Sequence, residues 1–246
     1  METPENLPTI SPAETAPEYS VPWSVSDTWL GIGLMILVLA GILIVALFLQ
    51  DRGEIASKGT KGSLVLVVTE LLFLAPVAII FLWKRINWKY LGFRKFKWNA
   101  LGIGCGILAI VYPLIILHNV ILIAFHIGTQ GDSVLQILQK IDSPFLFVVT
   151  TVIIAPLVEE TFFRGFVFAS FRQRYGWVTS MLLSSGIFAL GHMQLVALIP
   201  TFLLGCVLAY TYHRANSIWP GVIIHFLVNG LAVCVMLAAF QLNLLQ

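Results

Sequence analysis

Residues 28–49 read TWLGIGLMILVLAGILIVALFL, an apolar run without a single charged side chain. A helix needs about 20 such residues to cross the hydrocarbon core of a bilayer, and this run is long enough. Further apolar runs of comparable length lie at residues 64–83, 100–126, 144–170, 177–193, 196–213 and 217–241. The pattern predicts an all-α fold, a polytopic transmembrane helical bundle of about seven spans, with six to eight as the range.

The composition of the chain agrees with a membrane environment. Of the 246 residues, 59% are hydrophobic and 11% are charged, with a mean hydropathy of +0.93. Soluble domains are about 25% charged, so a soluble enzyme, a disulfide scaffold and a disordered regulator are excluded. Cys105, Cys206 and Cys234 lie in apolar runs without CxxC spacing, which is typical of packing residues. The basic residues lie in short loops, so we expect the lipid bilayer as a partner and no nucleic acid.

The first 27 residues differ in composition from the remainder. Residues 1–27 hold five of the 11 prolines and no lysine or arginine, which predicts a disordered, acidic, Pro-rich tail that is no signal peptide. Residues 28–246 are expected to form the transmembrane domain, with its functional core at about 144–241. The loop 84–99 carries six basic residues, and the positive-inside rule places it and the N-terminus in the cytoplasm.

Charged side chains inside apolar spans are costly and tend to mark function. Those in this sequence are Glu70, Glu159, Glu160 and Arg164, and three of them share the stretch APLVEETFFRG at residues 155–165. Glu160 and Arg164 are i,i+4 neighbours on one helical face, a spacing that favours an ion pair. A salt bridge that joins two helices and an active site both remain open as interpretations.

The two adjacent carboxylates are expected to play different roles. Paired with Arg164, Glu160 should stay ionised and structural, whereas Glu159 is rotated about 100° around the helix and is available as a base. Pro156 has no N–H group, so we expect the helix to kink or restart just before the pair.

Two further segments contribute imidazole and amide groups. His192 ends the stretch FALGH at residues 188–192, and His225 and Asn229 bound the stretch HFLVN. The i,i+4 spacing puts the second pair on one helical face, where two donors suit an oxyanion. Taken singly, these residues also fit polar contacts between helices. Three helices that each supply such groups favour an active site.

Other intramembrane chemistries are excluded by the residues present. There is no HExxH zinc motif and no GxSxG nucleophile elbow. All four aspartates lie in the tail or in loops, so an intramembrane aspartyl pair is absent. A glutamate–histidine site remains.

These motifs resemble those of one known family. EETFFR (Glu159, Glu160, Arg164), FALGH (Phe188, His192) and HFLVN (His225, Asn229) are similar to the EExxxR, FxxxH and HxxxN motifs of the CPBP family, also called Abi. That family joins type II CAAX prenyl endopeptidases with bacteriocin-processing and immunity proteins. The three motifs occur in the family's order over about 70 residues, and WKYLGFR at 88–94 resembles the family's usual loop.

The resemblance implies an intramembrane endopeptidase, a hydrolase that cuts peptide bonds near the membrane face. Carried over by motif, Glu159 and His192 would hold and deprotonate the attacking water, and His225 and Asn229 would form the oxyanion hole. Glu160 and Arg164 would organise the site. The implied mechanism is free of metal and cofactor, and a zinc ion held by Glu159, His192 and His225 is the alternative.

The expected partner is a peptide or protein substrate, prenylated or otherwise associated with the membrane. On resemblance alone we expect a bacterial cytoplasmic membrane, or the endoplasmic reticulum in a eukaryote. A small transporter and a non-proteolytic immunity protein are the alternatives from other classes. Glu70 and His118 lie outside the motifs and receive no role.

Overall fold

The computed structural model of the protein describes residues 20–51, 60–140 and 143–241. Within these ranges the chain is helical and has no β-strand, so the predicted all-α class is confirmed. The α-helices are α1 (Val25–Asp51), α2 (Thr60–Leu72), α3 (Ala75–Lys84), α4 (Trp98–Ala124), α5 (Gln130–Lys140), α6 (Pro144–Val149), α7 (Ala155–Glu159), α8 (Ala169–Gly191), α9 (Leu198–Ala215) and α10 (Trp219–Gln241). Two π-helical segments, Thr150–Ile154 and Glu160–Phe168, flank α7, and short 3-10 helices cover Trp88–Leu91 and Leu195–Ala197.

The helices are long and apolar enough to make this an integral membrane protein. Of the described residues, the segments that can cross a bilayer are Val25–Val45, Leu64–Lys84, Trp98–Ala124, Pro144–Gly191, Leu195–Ala215 and Trp219–Ala238. These six lie within the predicted range. The difference from seven arises because two predicted spans join into one 48-residue segment, Pro144–Gly191. Gly176 bends that segment, because its φ of 74° and ψ of 169° are outside the helical region and suit glycine.

The folded part of the chain begins earlier than predicted. Residues 1–19 lie outside the described residues, but residues 20–27, assigned to the disordered tail, pack against the bundle. Val21 and Trp23 are buried, and the indole Nε1–H of Trp23 donates to the carbonyl oxygen of Phe166 at 3.2 Å. The boundary at residue 27 is therefore wrong, because the proline-rich composition concealed two side chains that enter the core.

The start of α1 shows the same early folding. The backbone N–H of Ser24 donates to Asp27 Oδ2 at 2.8 Å, and the N–H of Asp27 donates to Ser24 Oγ at 3.2 Å. This reciprocal pair satisfies two of the N–H groups that a helix start leaves without intrahelical partners. Lys84 Nζ contacts the same Asp27 oxygen at 2.7 Å and ties the end of α3 to the start of α1.

The core is formed around the π-helical segment Glu160–Phe168, all of whose residues are buried. Its aromatic rings pack on Trp23, Phe81 and Phe188, which come from the N-terminal segment, α3 and α8. On its other side, the segment lies against the 3-10 helix Trp88–Leu91. The central segment that carries the predicted site therefore has protein on several sides.

One glycine makes the closest of these approaches possible. A Cβ atom added to Gly165 would lie 2.5 Å from the backbone carbonyl oxygen of Leu91, and backbone cannot rotate out of the way. We expect Gly165→Ala to lower the free energy of unfolding by about 1–3 kcal/mol, the usual cost of overpacking.

Gly186→Ala is the matched control, since Gly186 is also helical and a Cβ there would meet nothing within 4 Å. We expect Gly186→Ala to leave the free energy of unfolding unchanged or to raise it by up to about 1 kcal/mol, because alanine favours a helix over glycine. Both variants are compared by denaturant unfolding in detergent. Equal stability of the two variants would contradict the close packing of Gly165 on Leu91.

Candidate active site

The helix that carries the glutamate pair changes its hydrogen-bond register just before the pair. Thr150–Ile154 is π-helical, and α7 then begins at Ala155 with Pro156 in its first turn. The N–H of Ala155 bonds to the carbonyl of Thr150, five residues back, which is the π pattern. The predicted interruption before Glu159 is thus present, as a change of register within a continuous helical rod rather than as a loop.

Glu160 and Arg164 form the ion pair that their spacing predicted. Arg164 Nη1 lies 2.8 Å from Glu160 Oε1, and both side chains are fully buried. Arg164 Nη2 also donates to the carbonyl oxygen of Gly205 on α9 at 3.1 Å, and its guanidinium lies 4.5 Å from the centre of the Phe188 ring. The pair is therefore a fixed structural unit that joins three helical segments.

Two glycines that sequence reasoning did not single out lie at this unit: Gly221 leaves room for the Glu160 carboxylate, and Gly205, whose carbonyl accepts from Arg164, packs closely on Ser185. A Cβ on Gly221 would lie 2.7 Å from Glu160 Oε2, and a Cβ on Gly205 would lie 2.9 Å from the Ser185 Cβ. A signal for Gly221 exists in the sequence, because it precedes His225 by four residues and so shares its helical face.

His225 lies between the two glutamates. Its Nδ1 is 3.3 Å from Glu160 Oε1, and its Nε2 is 3.6 Å from Glu159 Oε2. The His225 side chain is 3% exposed, that of Glu160 is fully buried, and that of Glu159 is 14% exposed. The two adjacent carboxylates thus differ in environment, and Glu159 is the one that solvent or a substrate can reach.

His192 contacts the same aromatic ring, Phe188, that His225 contacts. Its Nδ1 lies 3.0 Å from the Phe188 carbonyl oxygen, so Nδ1–H donates and Nε2 is left as the acceptor. The Phe188 ring is 4.9 Å from the His192 ring and 5.9 Å from the His225 ring, centre to centre. Among the described residues no hydrogen bond joins His192 to Glu159, and the Phe188 ring is the contact that His192 and His225 share.

Asn229 is placed differently from the expectation that it and His225 aim at one point. Its Nδ2 donates to the carbonyl oxygen of Thr151 at 2.9 Å. In π register the Thr151 carbonyl would accept from residue 156, and Pro156 has no N–H to give. The Asn229 amide therefore donates to a carbonyl oxygen that Pro156 leaves without a backbone donor. Both ring nitrogens of His225, in contrast, face carboxylates.

The residues considered for zinc were Glu159, His192 and His225. Within the described ranges, no three side chains of the His, Cys, Asp or Glu type are arranged to hold a metal ion. His225 Nε2 and Glu159 Oε2 lie 3.6 Å apart, and His192 Nδ1 is engaged with the Phe188 carbonyl oxygen. This geometry does not fit a zinc site, and we derive no step through a metal.

Comparisons with known proteins agree with the motifs. Residues 141–231 match the model of the family described as type II CAAX prenyl endopeptidase Rce1-like, which confirms the predicted family resemblance. The chain is 28% identical over 113 residues to "Putative membrane peptidase YdiL" of Bacillus subtilis (strain 168), a match over 46% of each chain. It is 34% identical over 92 residues to an "Uncharacterized 24.3 kDa protein" of Escherichia coli, over 35% of this chain and 42% of that one. These matches thus span less than half the length of either relative. No solved structure matches the chain.

Proposed function

We propose that this chain, whose central and C-terminal part matches a family of membrane proteases, is an intramembrane endopeptidase that activates water with Glu159. One observation carries the proposal. A partly exposed carboxylate, Glu159, lies beside a fully buried ion pair, Glu160–Arg164, and His225 stands between the two carboxylates. A carboxylate with restricted access to water, next to a fixed charge and an imidazole, is the arrangement expected of a general base.

The proposed reaction begins when Glu159 takes a proton from a water molecule held near it, with His192 Nε2 as a second acceptor across the site. The hydroxide attacks the carbonyl carbon of the scissile peptide bond and forms a tetrahedral oxyanion. When that intermediate collapses, the C–N bond breaks and Glu159 returns its proton to the leaving amine. The water has then supplied both the new carboxyl oxygen and the proton of the new amine.

His225 and Asn229 are assigned to the oxyanion. The Nδ1–H of His225 donates to Glu160, which fixes the ring and leaves Nε2–H, when protonated, to donate to the oxyanion. The amide of Asn229 has two N–H groups, of which the Thr151 carbonyl uses one. The loss of one oxyanion donor typically costs about 10²–10³ in rate.

Glu160 and Arg164 act as positioning residues in this scheme. Glu160 accepts from both Arg164 and His225 and is not exposed, so it has no access to substrate. Because Arg164 is also anchored to Gly205 and to the Phe188 ring, the orientation of His225 is set by three helices at once.

The position of the site supports a membrane-associated substrate. Glu159 is inside a segment long and apolar enough to cross the membrane, where a scissile bond held at the bilayer can reach it. We assign the chain a peptide or protein substrate that is anchored in the bilayer, with CAAX-type prenylated tails as the leading case. The relatives come from bacteria, which supports a bacterial cytoplasmic membrane.

The test is cleavage of matched peptides by the purified full-length chain in detergent. A CAAX-type peptide is offered with and without a prenyl group, and the cleavage position is read by mass spectrometry. We expect a single cut, faster in the prenylated peptide, that survives treatment with a chelator. Preparations from cells lacking the chain provide the background.

Two outcomes would change the assignment. Activity that is lost with the chelator and restored by added zinc would replace the metal-free mechanism with the zinc version. Absence of cleavage, together with solute uptake into proteoliposomes that depends on Glu159, would replace the protease with a transporter.

A further inference from the structure

A cavity of about 630 Å³ lies at one end of the bundle, between the start of α4 and the end of α9. Its volume is within the range of about 300–1,000 Å³ that is typical of small-molecule sites. The polar side chains of its lining are those of Lys95, Lys97, Asn99, His213, Arg214 and Asn216. Among the described residues that line it, none belongs to the candidate active site, so this is a separate pocket.

The charge of this cavity is positive. Its cations are Lys95, Lys97 and Arg214, and the sequence has no aspartate or glutamate at residues 71–131 or 161–246. Within the part of the chain that the structure describes, none of the three cations forms an ion pair with a carboxylate. Cations that share one cavity repel each other, so this lining favours an anion as its occupant.

Hydrogen bonds hold the two walls of the cavity together. The Ser217 hydroxyl donates to the carbonyl oxygen of Arg94 at 2.7 Å, and the N–H of Ile218 donates to the carbonyl oxygen of Gly92 at 3.1 Å. Ser217 and Ile218 are both fully buried. These bonds tie the loop that precedes α4 to the turn that follows α9, so the two walls have a fixed relation to each other.

A residue of α8 supports the wall that α9 provides. Arg172 Nη1 donates to Asn216 Oδ1 at 3.0 Å and lies 3.3 Å from His213 Nδ1. A guanidinium group has only donors, so His213 Nδ1 is the acceptor and Nε2 carries the proton of the ring. The Trp177 ring stacks on His213 at 5.1 Å between centres, with an angle of 11° between the planes. The orientation of this wall is therefore fixed, and Arg172 adds to its positive charge.

Aromatic and aliphatic residues beside the cavity indicate that it lies at the membrane surface. Trp98, the first residue of α4, is 73% exposed, and its ring packs at 5.2 Å on Phe96, which lines the cavity. Tryptophan is enriched at the level of the lipid headgroups. Ile103, also exposed, gives the cavity an apolar edge along α4. A phospholipid with an anionic headgroup has both of the chemical groups that such a lining contacts.

We propose that this cavity binds the headgroup phosphate of an anionic phospholipid. Lys95, Lys97 and Arg214 supply the positive charge, and the Asn99 amide and the His213 Nε2–H are further donors in the lining. Basic pockets between membrane-spanning helices are known to hold such headgroups. A soluble phosphate ester has the same phosphate chemistry, and the experiments below separate these two sources. The proposal does not depend on the proposed proteolysis.

A second basic cavity of about 540 Å³ provides a contrast within the same chain. Its cations are Lys84, Arg85 and Lys89. Lys84 is paired with Asp27 at 2.7 Å, and Lys89 Nζ lies 5.6 Å from the centre of the Tyr90 ring. Part of the positive charge is thus already used within the chain, so we expect weaker binding of phosphate there.

The first measurement is lipid binding to the purified full-length chain in a neutral detergent, read by native mass spectrometry. Phosphatidylglycerol is compared with phosphatidylcholine of the same acyl chains, which has a phosphate but no net charge. We expect phosphatidylglycerol to bind more tightly, and a rise in ionic strength to weaken its binding, because salt screens exposed charges. Equal affinity for the two lipids would overturn the proposal.

The second measurement compares two triple variants that change the net charge equally. Each replaces three exposed cations by glutamine: the cavity variant is Lys95→Gln/Lys97→Gln/Arg214→Gln, and the control variant is Arg85→Gln/Lys89→Gln/Arg174→Gln. One cation near the membrane surface contributes about fivefold to the affinity for an anionic lipid, so the cavity variant should bind phosphatidylglycerol about 100-fold more weakly. The control variant should bind it as the wild type does. Equal losses in the two variants would contradict a site in this cavity.

Soluble competitors identify the source of the phosphate. Glycerol phosphate has the phosphate without the acyl chains, and an acidic peptide has carboxylates without phosphate. We expect neither to displace phosphatidylglycerol when added at the same concentration. Displacement by glycerol phosphate would overturn the lipid assignment in favour of a soluble phosphate ester, and displacement by the peptide alone would overturn it in favour of a protein partner. These measurements do not involve proteolysis, so they give the same answer if the proposed function fails.

Discussion

Replacement of Glu159 by glutamine is expected to lower kcat/KM for peptide cleavage by about 10³-fold, within the 10²–10⁴ that general-base catalysis usually contributes. Glutamine keeps the size of the side chain but cannot take a proton from water. Because the Glu159 side chain is partly exposed and its ion pair with His225 Nε2 is long, at 3.6 Å, the substitution should leave the fold intact. The measurement is the rate of cleavage by purified protein, with its thermal unfolding in detergent recorded alongside.

Asp132→Asn is the matched control for this experiment, since it also exchanges a carboxylate for an amide. Asp132 lies at the start of α5, exposed, where it accepts a hydrogen bond from the Thr129 N–H at 2.6 Å. The rate of peptide cleavage by the Asp132→Asn protein should remain within about twofold of the wild-type rate, as is usual for substitutions away from catalytic groups. A Glu159→Gln protein that cleaves at the same rate as Asp132→Asn would remove Glu159 from the mechanism.

Replacement of Arg164 by methionine is expected to lower the free energy of unfolding by about 3–5 kcal/mol, the cost of leaving a buried charge without its partner. The side chains of Arg164 and Glu160 have no exposure, so no water can replace the lost guanidinium. The donor to the Gly205 carbonyl and the contact with the Phe188 ring are lost as well. Equilibrium unfolding in detergent by a denaturing surfactant measures the change.

The double variant Glu160→Gln/Arg164→Met is predicted to recover much of this loss, because it removes both charges. Lys84→Met is the control ion pair: Lys84 contacts Asp27 at 2.7 Å, but its side chain is 36% exposed. That substitution should cost no more than about 1 kcal/mol. A loss in Arg164→Met no larger than in Lys84→Met would contradict the structural role of the buried pair.

The sequence alone predicts the features of this protein that depend on residues close together along the chain. An uncharged apolar run of spanning length at residues 28–49 predicts a membrane helix, because a helix is the structure in which a single segment satisfies all its own backbone hydrogen bonds in lipid. The i,i+4 spacing of Glu160 and Arg164 determines that they pair if the segment is helical. The missing N–H of Pro156 determines that the hydrogen-bond pattern changes before Glu159.

Tertiary packing decided the relations between residues that are far apart in sequence. His225 and Glu160 are 65 positions apart, so the sequence does not indicate which imidazole nitrogen faces which carboxylate. The donation of the Asn229 amide to the Thr151 carbonyl likewise depends on which helix lies beside which. Trp23 was assigned to a disordered tail because its place under Phe166 is visible only once the bundle is assembled.

The physical reason for this division is the range of the forces involved. Helix spacing, backbone hydrogen bonding and apolar length act within a few residues, and they can be read from the sequence one segment at a time. Side-chain packing in a bilayer depends on how closely helix surfaces fit, because lipid is as apolar as the side chains and does not select partners for them. The sequence therefore determined the membrane-spanning helices and the glutamate–arginine pair, and only the tertiary structure decided that His225 lies between Glu159 and Glu160.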